Sequence, residues 1–163
     1  MKRLVGSGLV ALVGSVVALV LLISGPSSAA GVSGPVTRTF SFIAKPSSKT
    51  KVLFNVDSLL VNARCDSRGN PVIFAFTSAG AADIFGRMFD GLGRTHIIKN
   101  SAFTKKSKGV SLSPNIPGDF NSSGTVMFER SNGQTVTLNY GFDNSTTLAK
   151  KSVCTVYGSI IAT

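Results

Sequence analysis

The chain has 163 residues, of which 17 are Lys or Arg, seven are Asp or Glu and one is His, so the formal net charge is +10 at pH 7. With so few acids and a single His, acid–base catalysis and carboxylate metal sites are poorly supplied. We therefore predict no enzyme activity, no metal site and no cofactor.

Residues 1–30 are predicted to be a secretion signal. The basic pair Lys2-Arg3 precedes an apolar run from Leu4 to Ile23, and small residues follow, with cleavage expected after Ala30. A run of about 20 apolar residues can also span a bilayer, so an uncleaved membrane anchor is the alternative. By the positive-inside rule the basic pair stays in the cytoplasm and residues 31–163 are outside in both cases.

Residues 31–163 are predicted to form a single exported domain, which should bury about two-thirds of its unfolded surface. This part keeps 15 basic and seven acidic residues, a formal charge of +8. Cys65 and Cys154 are the only cysteines, and in an exported chain such a pair predicts a disulfide rather than a metal site. The bridge fits either the interior of a sandwich or two adjacent strands near a sheet edge.

The first half of the exported chain alternates apolar and polar residues, which is the period of a half-buried β-strand. Strands are predicted over Val36–Ala44, Lys51–Val56 and Leu59–Cys65, separated by polar turns. In Val72–Thr77 apolar residues occupy both faces, which predicts a strand buried on both sides.

Residues 78–94 fit two structures. Ile84, Phe85, Met88 and Phe89 recur at helical spacing, but Gly86, Gly91 and Gly93 disfavour a stable helix. A short helix and an irregular strand both remain open. We expect the four apolar side chains to pack into the core; if exposed, they would form a patch of the kind that binds a protein partner.

The second half contains the clearest hairpin signal. Thr95–Lys99 and Gly109–Leu112 are weaker strand candidates. Gly124–Arg130 and Gln134–Phe142 both alternate and are joined through Asn132-Gly133, a dipeptide typical of hairpin turns.

The last predicted strand, Val153–Ile161, carries Cys154 and brings the count to eight or nine short strands without a long helix. Short strands separated by frequent turns are typical of an antiparallel β-sandwich, with a small β-barrel as the alternative. The predicted fold class is therefore all-β.

The segment Arg94–Lys108 is the main candidate binding site. It contains no acid, and clustered cations attract anionic lipid head groups or acidic envelope polymers. No RNA- or DNA-binding module pattern is present, so specific nucleic-acid binding is not predicted. The alternative is a solvated loop that protects a sheet edge. The candidate residues for binding an anionic surface are Arg94, Lys99, Phe103, Lys105, Lys106 and Lys108.

A calcium loop is suggested by Asp119–Gly124, which has oxygen-bearing side chains and a glycine at the required spacing. The twelfth position should be a bidentate Glu and is Arg130 instead. We therefore predict a turn that leads into the hairpin.

His96 could in principle form a hydrolase triad with Asp90 and either Ser78 or Ser101. The exported part of the chain lacks the G-x-S-x-G sequence around a nucleophilic serine. A Ser or Thr and an acid within hydrogen-bond reach of His96 would be needed to support this reading.

These features together predict an exported, non-enzymatic binding or structural β-domain of the bacterial cell envelope or extracellular space. It would dock on anionic surfaces, either an envelope polymer or lipid head groups, through the basic segment. The alternatives are a small secreted hydrolase and a protein–protein interaction module with a protein partner.

Overall fold

Ten antiparallel β-strands in two sheets make up the regular structure of the described residues. The structure is a computed structural model that describes residues 34–114, 121–144 and 153–163, so the predicted secretion signal lies outside the described residues. The strands are β1 Val36–Ala44, β2 Lys51–Val56, β3 Leu59–Cys65, β4 Pro71–Thr77, β5 Ala82–Phe89, β6 Thr95–Phe103, β7 Val110–Ser111, β8 Ser122–Arg130, β9 Thr135–Asp143 and β10 Cys154–Ala162.

The larger sheet has six strands in the order β1-β10-β9-β8-β5-β6, and the smaller has four in the order β2-β3-β4-β7. Hairpins connect β2 with β3, β3 with β4, β5 with β6 and β8 with β9. The pairings of β1 with β10, β5 with β8 and β4 with β7 join distant parts of the chain. The long pairing of β5 with β8 places the β5–β6 hairpin on the same sheet as the β8–β9 hairpin.

Alternating side chains explain why these segments are strands. In β3, Leu59, Val61, Ala63 and Cys65 are buried, whereas the residues between them are less buried or exposed, as the sequence pattern predicts. The inward-facing residues of both sheets belong to one hydrophobic core. Tyr140 of β9 ties the sheets together further, because its buried hydroxyl donates a hydrogen bond of 2.7 Å to the carbonyl oxygen of Leu112.

The predicted disulfide is confirmed. Cys65 at the end of β3 and Cys154 at the start of β10 are bonded, with their Cα atoms 6.0 Å apart. Because β3 belongs to the four-stranded sheet and β10 to the six-stranded sheet, the bridge joins the two sheets and does not link neighbours within one.

The predicted hairpin is also confirmed. β8 and β9 pair directly, and Gly133 in their turn has a φ of +83°, a conformation that glycine adopts without strain. Residues 82–89 form strand β5 rather than a helix, which brings the number of strands in the described residues to ten instead of eight or nine. No stretch of the described chain forms a helix of the length and apolarity needed to cross a membrane.

The strand structure of β5 divides the four apolar residues that were expected to pack together. Ile84 and Met88 point inward and are buried in the core. Phe85 and Phe89 point to the opposite face and are 43% and 41% exposed, so the expected core packing is wrong for these two residues. Alternation along a strand gives this result, whereas a helix would have grouped all four.

Candidate functional site: a groove on the outer face of the larger sheet

The face of the six-stranded sheet that points away from the core contains a groove of about 840 Å³. We call it the outer groove. It crosses β6, β5, β8, β9 and β10, and its lining is mainly apolar. Clefts of this size that combine an apolar lining with a few polar groups are typical of ligand sites.

Three rows of side chains cross the strands of the outer groove, as the strand register shows. The first row contains Lys99, Phe85 and Met127, on β6, β5 and β8 respectively. Neighbouring strands lie about 4.8 Å apart, and successive rows on one face are about 7 Å apart along the strands. The outer groove therefore presents side chains on a regular grid.

The middle row carries most of the polar groups. Arg87 lies opposite Thr125, which lies opposite Asn139, which in turn lies opposite Ser159. The hydroxyl of Thr125 donates a hydrogen bond of 2.8 Å to Oδ1 of Asn139. Because that oxygen is engaged, the amide nitrogen of Asn139 is the atom left to donate to a ligand.

The third row has an aromatic ring at each end and small residues between them. Phe89 on β5 lies opposite Ser123, and Gly141 on β9 lies opposite Tyr157 on β10. A Cβ at Gly141 would lie 2.7 Å from the ring of Tyr157, so this ring covers the glycine. Tyr157 is nevertheless 52% exposed, and its ring forms part of the accessible lining.

The charges of the outer groove have one sign. Arg87 and Lys99 line it, and no Asp or Glu in the described part of the chain does. The guanidinium of Arg87 lies 5.5 Å from the ring centre of Phe89, within the range of a cation–π interaction. The cation is therefore held beside an aromatic ring at the surface of the groove.

Asp90 is the centre of a second polar cluster, at the β5–β6 turn. Its side chain is fully buried, and its Oδ1 accepts hydrogen bonds from the backbone N–H groups of Leu92 and Arg94. Its Oδ2 lies 2.6 Å from Nε of Arg94 and 3.0 Å from Nε2 of His96. These contacts close the turn between the two strands.

The pKa of Asp90 is well below its usual value. Burial alone would raise this pKa, because it disfavours the charged carboxylate. The hydrogen bonds from His96, from the backbone and side chain of Arg94 and from the backbone of Leu92 lower it by more. Asp90 therefore stays ionised in the folded protein.

The geometry at His96 gives an acid–histidine pair but no triad. In the described part of the chain, no Ser or Thr hydroxyl hydrogen-bonds to His96. Ser101 lies five residues further along the extended strand β6, about 17 Å away. Ser78 lies in the loop after β4, where its backbone N–H bonds to the carbonyl of Ser58. The contacts at His96 and Asp90 thus serve the turn.

The structure separates the cations of the segment Arg94–Lys108. Arg94 lies before β6 and Lys105 after it, and the nine residues of that strand extend over about 30 Å. Lys99 lies between them and faces the outer groove. At physiological ionic strength charges are screened over about 8 Å, so these cations do not act as one patch.

Three cations of that segment remain together at one end, in the β6–β7 loop; we call Lys105, Lys106 and Lys108 the loop lysines. All three are exposed. The backbone N–H of Lys105 bonds to the carbonyl of Ala79, and that of Ser107 bonds to the carbonyl of Thr104, so the loop is held against the fold.

Phe103, the sixth candidate of the segment, is fully buried and packs edge-on against Phe128 with 6.1 Å between ring centres. It is a core residue, and its ring is not available to a surface ligand. A break in the alternation of β6 explains this. Ile98 and Phe103 are five residues apart, and the irregular pairing between them turns Phe103 to the same buried side as Ile98.

A further group of cations, which the sequence did not bring to attention, lies at the disulfide end of the fold. The loop after β1 packs against the end of β3, because Ser47 N–H bonds to the carbonyl of Asp66 and the hydroxyl of Ser48 accepts a bond from Cys65 N–H. The exposed cations carried by these two regions are Lys45, Lys49, Lys51, Arg64 and Arg68.

Metal binding finds no support in the described ranges, where no group of three or more His, Cys, Asp and Glu side chains could hold an ion. Of the calcium-like segment, Asp119 and Phe120 lie outside the described residues, while Ser122–Gly124 begins strand β8.

Sequence reasoning missed the outer groove, although a signal for it was present. Strands β5 and β6 have large apolar residues on the outward face as well as the inward one, and Ile97 is 74% exposed. Phe85 and Phe89 lie on β5, whereas Tyr157 lies on β10, far away in sequence. Only the pairing of β5 with β8, β8 with β9 and β9 with β10 brings the three rings onto one face.

The fold and the groove together define a class, an all-β protein of two antiparallel sheets joined by a disulfide, with an open groove on its larger sheet. Comparison with protein-family models, with curated proteins and with solved structures found no match for this chain.

Proposed function

We propose that this chain is an exported, non-enzymatic binding domain of the bacterial cell envelope or extracellular space, with its ligand bound in the outer groove. The observation that carries the proposal is the exposed apolar and aromatic lining, in which Phe85, Phe89, Ile97 and Tyr157 project from a single sheet face. Exposed apolar patches of this kind mark binding surfaces in soluble proteins.

Two further observations support this proposal. The disulfide between Cys65 and Cys154 indicates an oxidising, extracytoplasmic environment, in agreement with the secretion signal predicted for residues 1–30. The contacts of His96 and Asp90 stabilise a turn, which favours binding over hydrolysis.

Docking on anionic surfaces is a second, weaker contribution, and it rests on the loop lysines. Their exposed ammonium groups lie on a loop that is held in place by backbone hydrogen bonds. Each Lys near an anionic membrane surface contributes about 1 kcal/mol, and this contribution falls as salt increases. The loop lysines would therefore strengthen binding without selecting the ligand.

The proposal is tested by sedimentation of the mature protein with envelope material from its own cells, at low and at high salt. A double Phe89→Ala and Tyr157→Ala variant removes both aromatic ends of the third row. We expect its binding to fall at least about tenfold at both salt concentrations, because buried aromatic anchors dominate binding energy. A triple Lys→Glu variant of the loop lysines should lose binding mainly at low salt.

Val52→Ala is the matched control, since Val52 is equally exposed but lies on β2 of the smaller sheet. It should bind like the unchanged protein. If the double aromatic variant also binds like the unchanged protein, the outer groove is not the binding site. If only the lysine variant loses binding, electrostatic docking accounts for the association.

A further inference from the structure

The outer groove alternates flat apolar surfaces with hydrogen-bonding side chains. Phe89 and Tyr157 end the same row, three strands and about 14 Å apart, with only Ser123 and Gly141 between them. The row beside it, about 7 Å away, presents the amide of Asn139 and other polar groups. A ligand that fills the groove must therefore have apolar faces and polar edges close together.

An acyl chain or a bilayer surface does not meet this requirement. An acyl chain would cover the polar row of Arg87, Thr125 and Asn139 without offering hydrogen-bond partners, and polar groups that are buried without a partner weaken binding. A bilayer surface offers phosphate and carbonyl acceptors, but it is flat and therefore a poor fit to the concave floor at Ser123.

An extended peptide is also a poor fit. Peptides that bind to sheets usually add a strand through free backbone groups at an edge. The outer groove instead crosses the middle of the sheet, where β5, β8, β9 and β10 are already paired with each other. Only side chains are available there.

A chain of sugar rings combines the required features, since each ring has an apolar C–H face and a rim of hydroxyl groups. The positive charge of the lining favours an acidic ligand within this class. Arg87 and Lys99 are cations, and no acid among the described lining residues opposes them. Arg binds a carboxylate with two parallel hydrogen bonds, which adds geometric specificity.

We propose that the outer groove binds an acidic polysaccharide, with sugar rings stacked on Tyr157 and Phe89 and carboxylates at Arg87 and Lys99. This inference rests on the proposed binding function of the groove and names its ligand class. The hydroxyl groups of the sugars accept and donate hydrogen bonds along the middle row, where the amide nitrogen of Asn139 is free to donate.

The test uses calorimetric titration of the mature protein with a linear hexamer of galacturonic acid, and with a neutral galactose hexamer for comparison. We expect the acidic hexamer to bind at least about tenfold more tightly than the neutral one, with a difference that narrows as salt rises. Chemical-shift changes in the protein's NMR spectrum should concentrate on β5, β8, β9 and β10.

Four variants locate the binding site. Tyr157→Ala and Arg87→Gln should each weaken binding of the acidic hexamer at least about tenfold. Tyr157→Phe keeps the ring and should lose much less than Tyr157→Ala, which separates stacking from a general loss of fold. Lys49→Gln removes one exposed cation that lies outside the groove and outside the loop lysines, and it should change the affinity by no more than about twofold.

Other outcomes overturn the inference in distinct ways. If the neutral hexamer binds equally well, the ligand class is wrong. The ligand class is also wrong if the protein binds phosphatidylglycerol vesicles instead, through Phe89 and Tyr157. In both cases the outer groove remains a binding site. Failure of both hexamers to bind, while envelope material still binds in a manner sensitive to Phe89 and Tyr157, would likewise reject only the ligand class. Binding of the acidic hexamer that is insensitive to all groove variants would place the sugar elsewhere on the protein.

Discussion

Asp90 shows how one residue can hold a charge inside this fold. Its carboxylate is fully buried, a position that ordinarily favours the neutral acid. Oδ1 accepts hydrogen bonds from two backbone N–H groups, and Oδ2 is hydrogen-bonded to the side chains of Arg94 and His96. Both oxygens of the charged carboxylate therefore have two partners. These hydrogen bonds form only when the turn is folded, and they offset the unfavourable desolvation of the carboxylate.

Replacing Asp90 with Asn should lower the free energy of unfolding at neutral pH. The folded pKa of Asp90 is lowered from 3.8, so its stabilising effect is fully present above about pH 4 and is lost as the pH falls toward the folded pKa. Urea unfolding from pH 7 to pH 2 should therefore show a difference between the two proteins that shrinks below about pH 4.

Asp83→Asn is the control, because Asp83 is an exposed carboxylate on β5, the strand that leads into the turn at Asp90. It should change stability little at any pH. A difference between Asp90→Asn and the unchanged protein that stays constant down to pH 2 would contradict the role assigned to the Asp90 charge.

Among the elements, β5 and β10 depend on glycines that let neighbouring strands come close. A Cβ at Gly86 would lie 2.2 Å from the carbonyl oxygen of Thr125, and one at Gly158 would lie 2.1 Å from that of Asn139. Glycine within a strand often marks such a close approach or a bend. Both glycines line the outer groove, so the shape of the groove depends on them.

The substitution Gly86→Ala should lower the free energy of unfolding by about 1 to 3 kcal/mol. The added methyl group would meet backbone atoms of β8, which cannot rotate away as a flexible side chain could. Denaturant unfolding measures the change. Gly80→Ala is the control, since nothing lies within 4 Å of a Cβ at that position, and a Gly86→Ala protein as stable as this control would show that β5 and β8 can separate at little cost.

At the scale of the whole molecule, two sheets share one hydrophobic core and one covalent link. The disulfide joins residues 89 positions apart in the sequence, and so constrains most of the described fold. In the chain-entropy description, a bridge closing a loop of this length removes about 4 to 5 kcal/mol of freedom from the unfolded chain, as an upper figure.

Replacing both Cys65 and Cys154 with Ala should therefore lower the free energy of unfolding by up to about 4 kcal/mol. Reduction of the unchanged protein should have a similar effect on its urea midpoint. The disulfide also predicts that the denatured, non-reduced chain does not react with thiol reagents. Reaction of both cysteines would contradict it.

Much of the fold could be predicted because its signals are local. Strict alternation in Leu59–Cys65 and in the two arms around Asn132-Gly133 identified strands and their turn. The disulfide followed from there being only two cysteines in a chain that is predicted to be exported. Residues 82–89 were ambiguous because two local signals disagreed. The spacing of the apolar residues favoured a helix, whereas the glycines in the same segment disfavoured one.

The sequence could not show which residues of the basic segment lie close together, since proximity in space depends on the structure between them. The segment Arg94–Lys108 is dense in cations along the sequence, but an extended strand within it separates them by about 30 Å. The sequence also could not show that Phe103 is in the core, because an irregular pairing near the end of β6 changes which side chains point inward.

The sequence by itself thus determined the all-β class, the local hairpins and the disulfide, because these depend on alternation, turn chemistry and the number of cysteines. Only the tertiary structure decided that Tyr157 of β10 lies on the same face as Phe85, Arg87 and Phe89, which alternation along β5 already places together. That outcome requires β5 to pair with β8, and such a pairing between distant strands is selected by the packing of the whole core rather than by any local pattern.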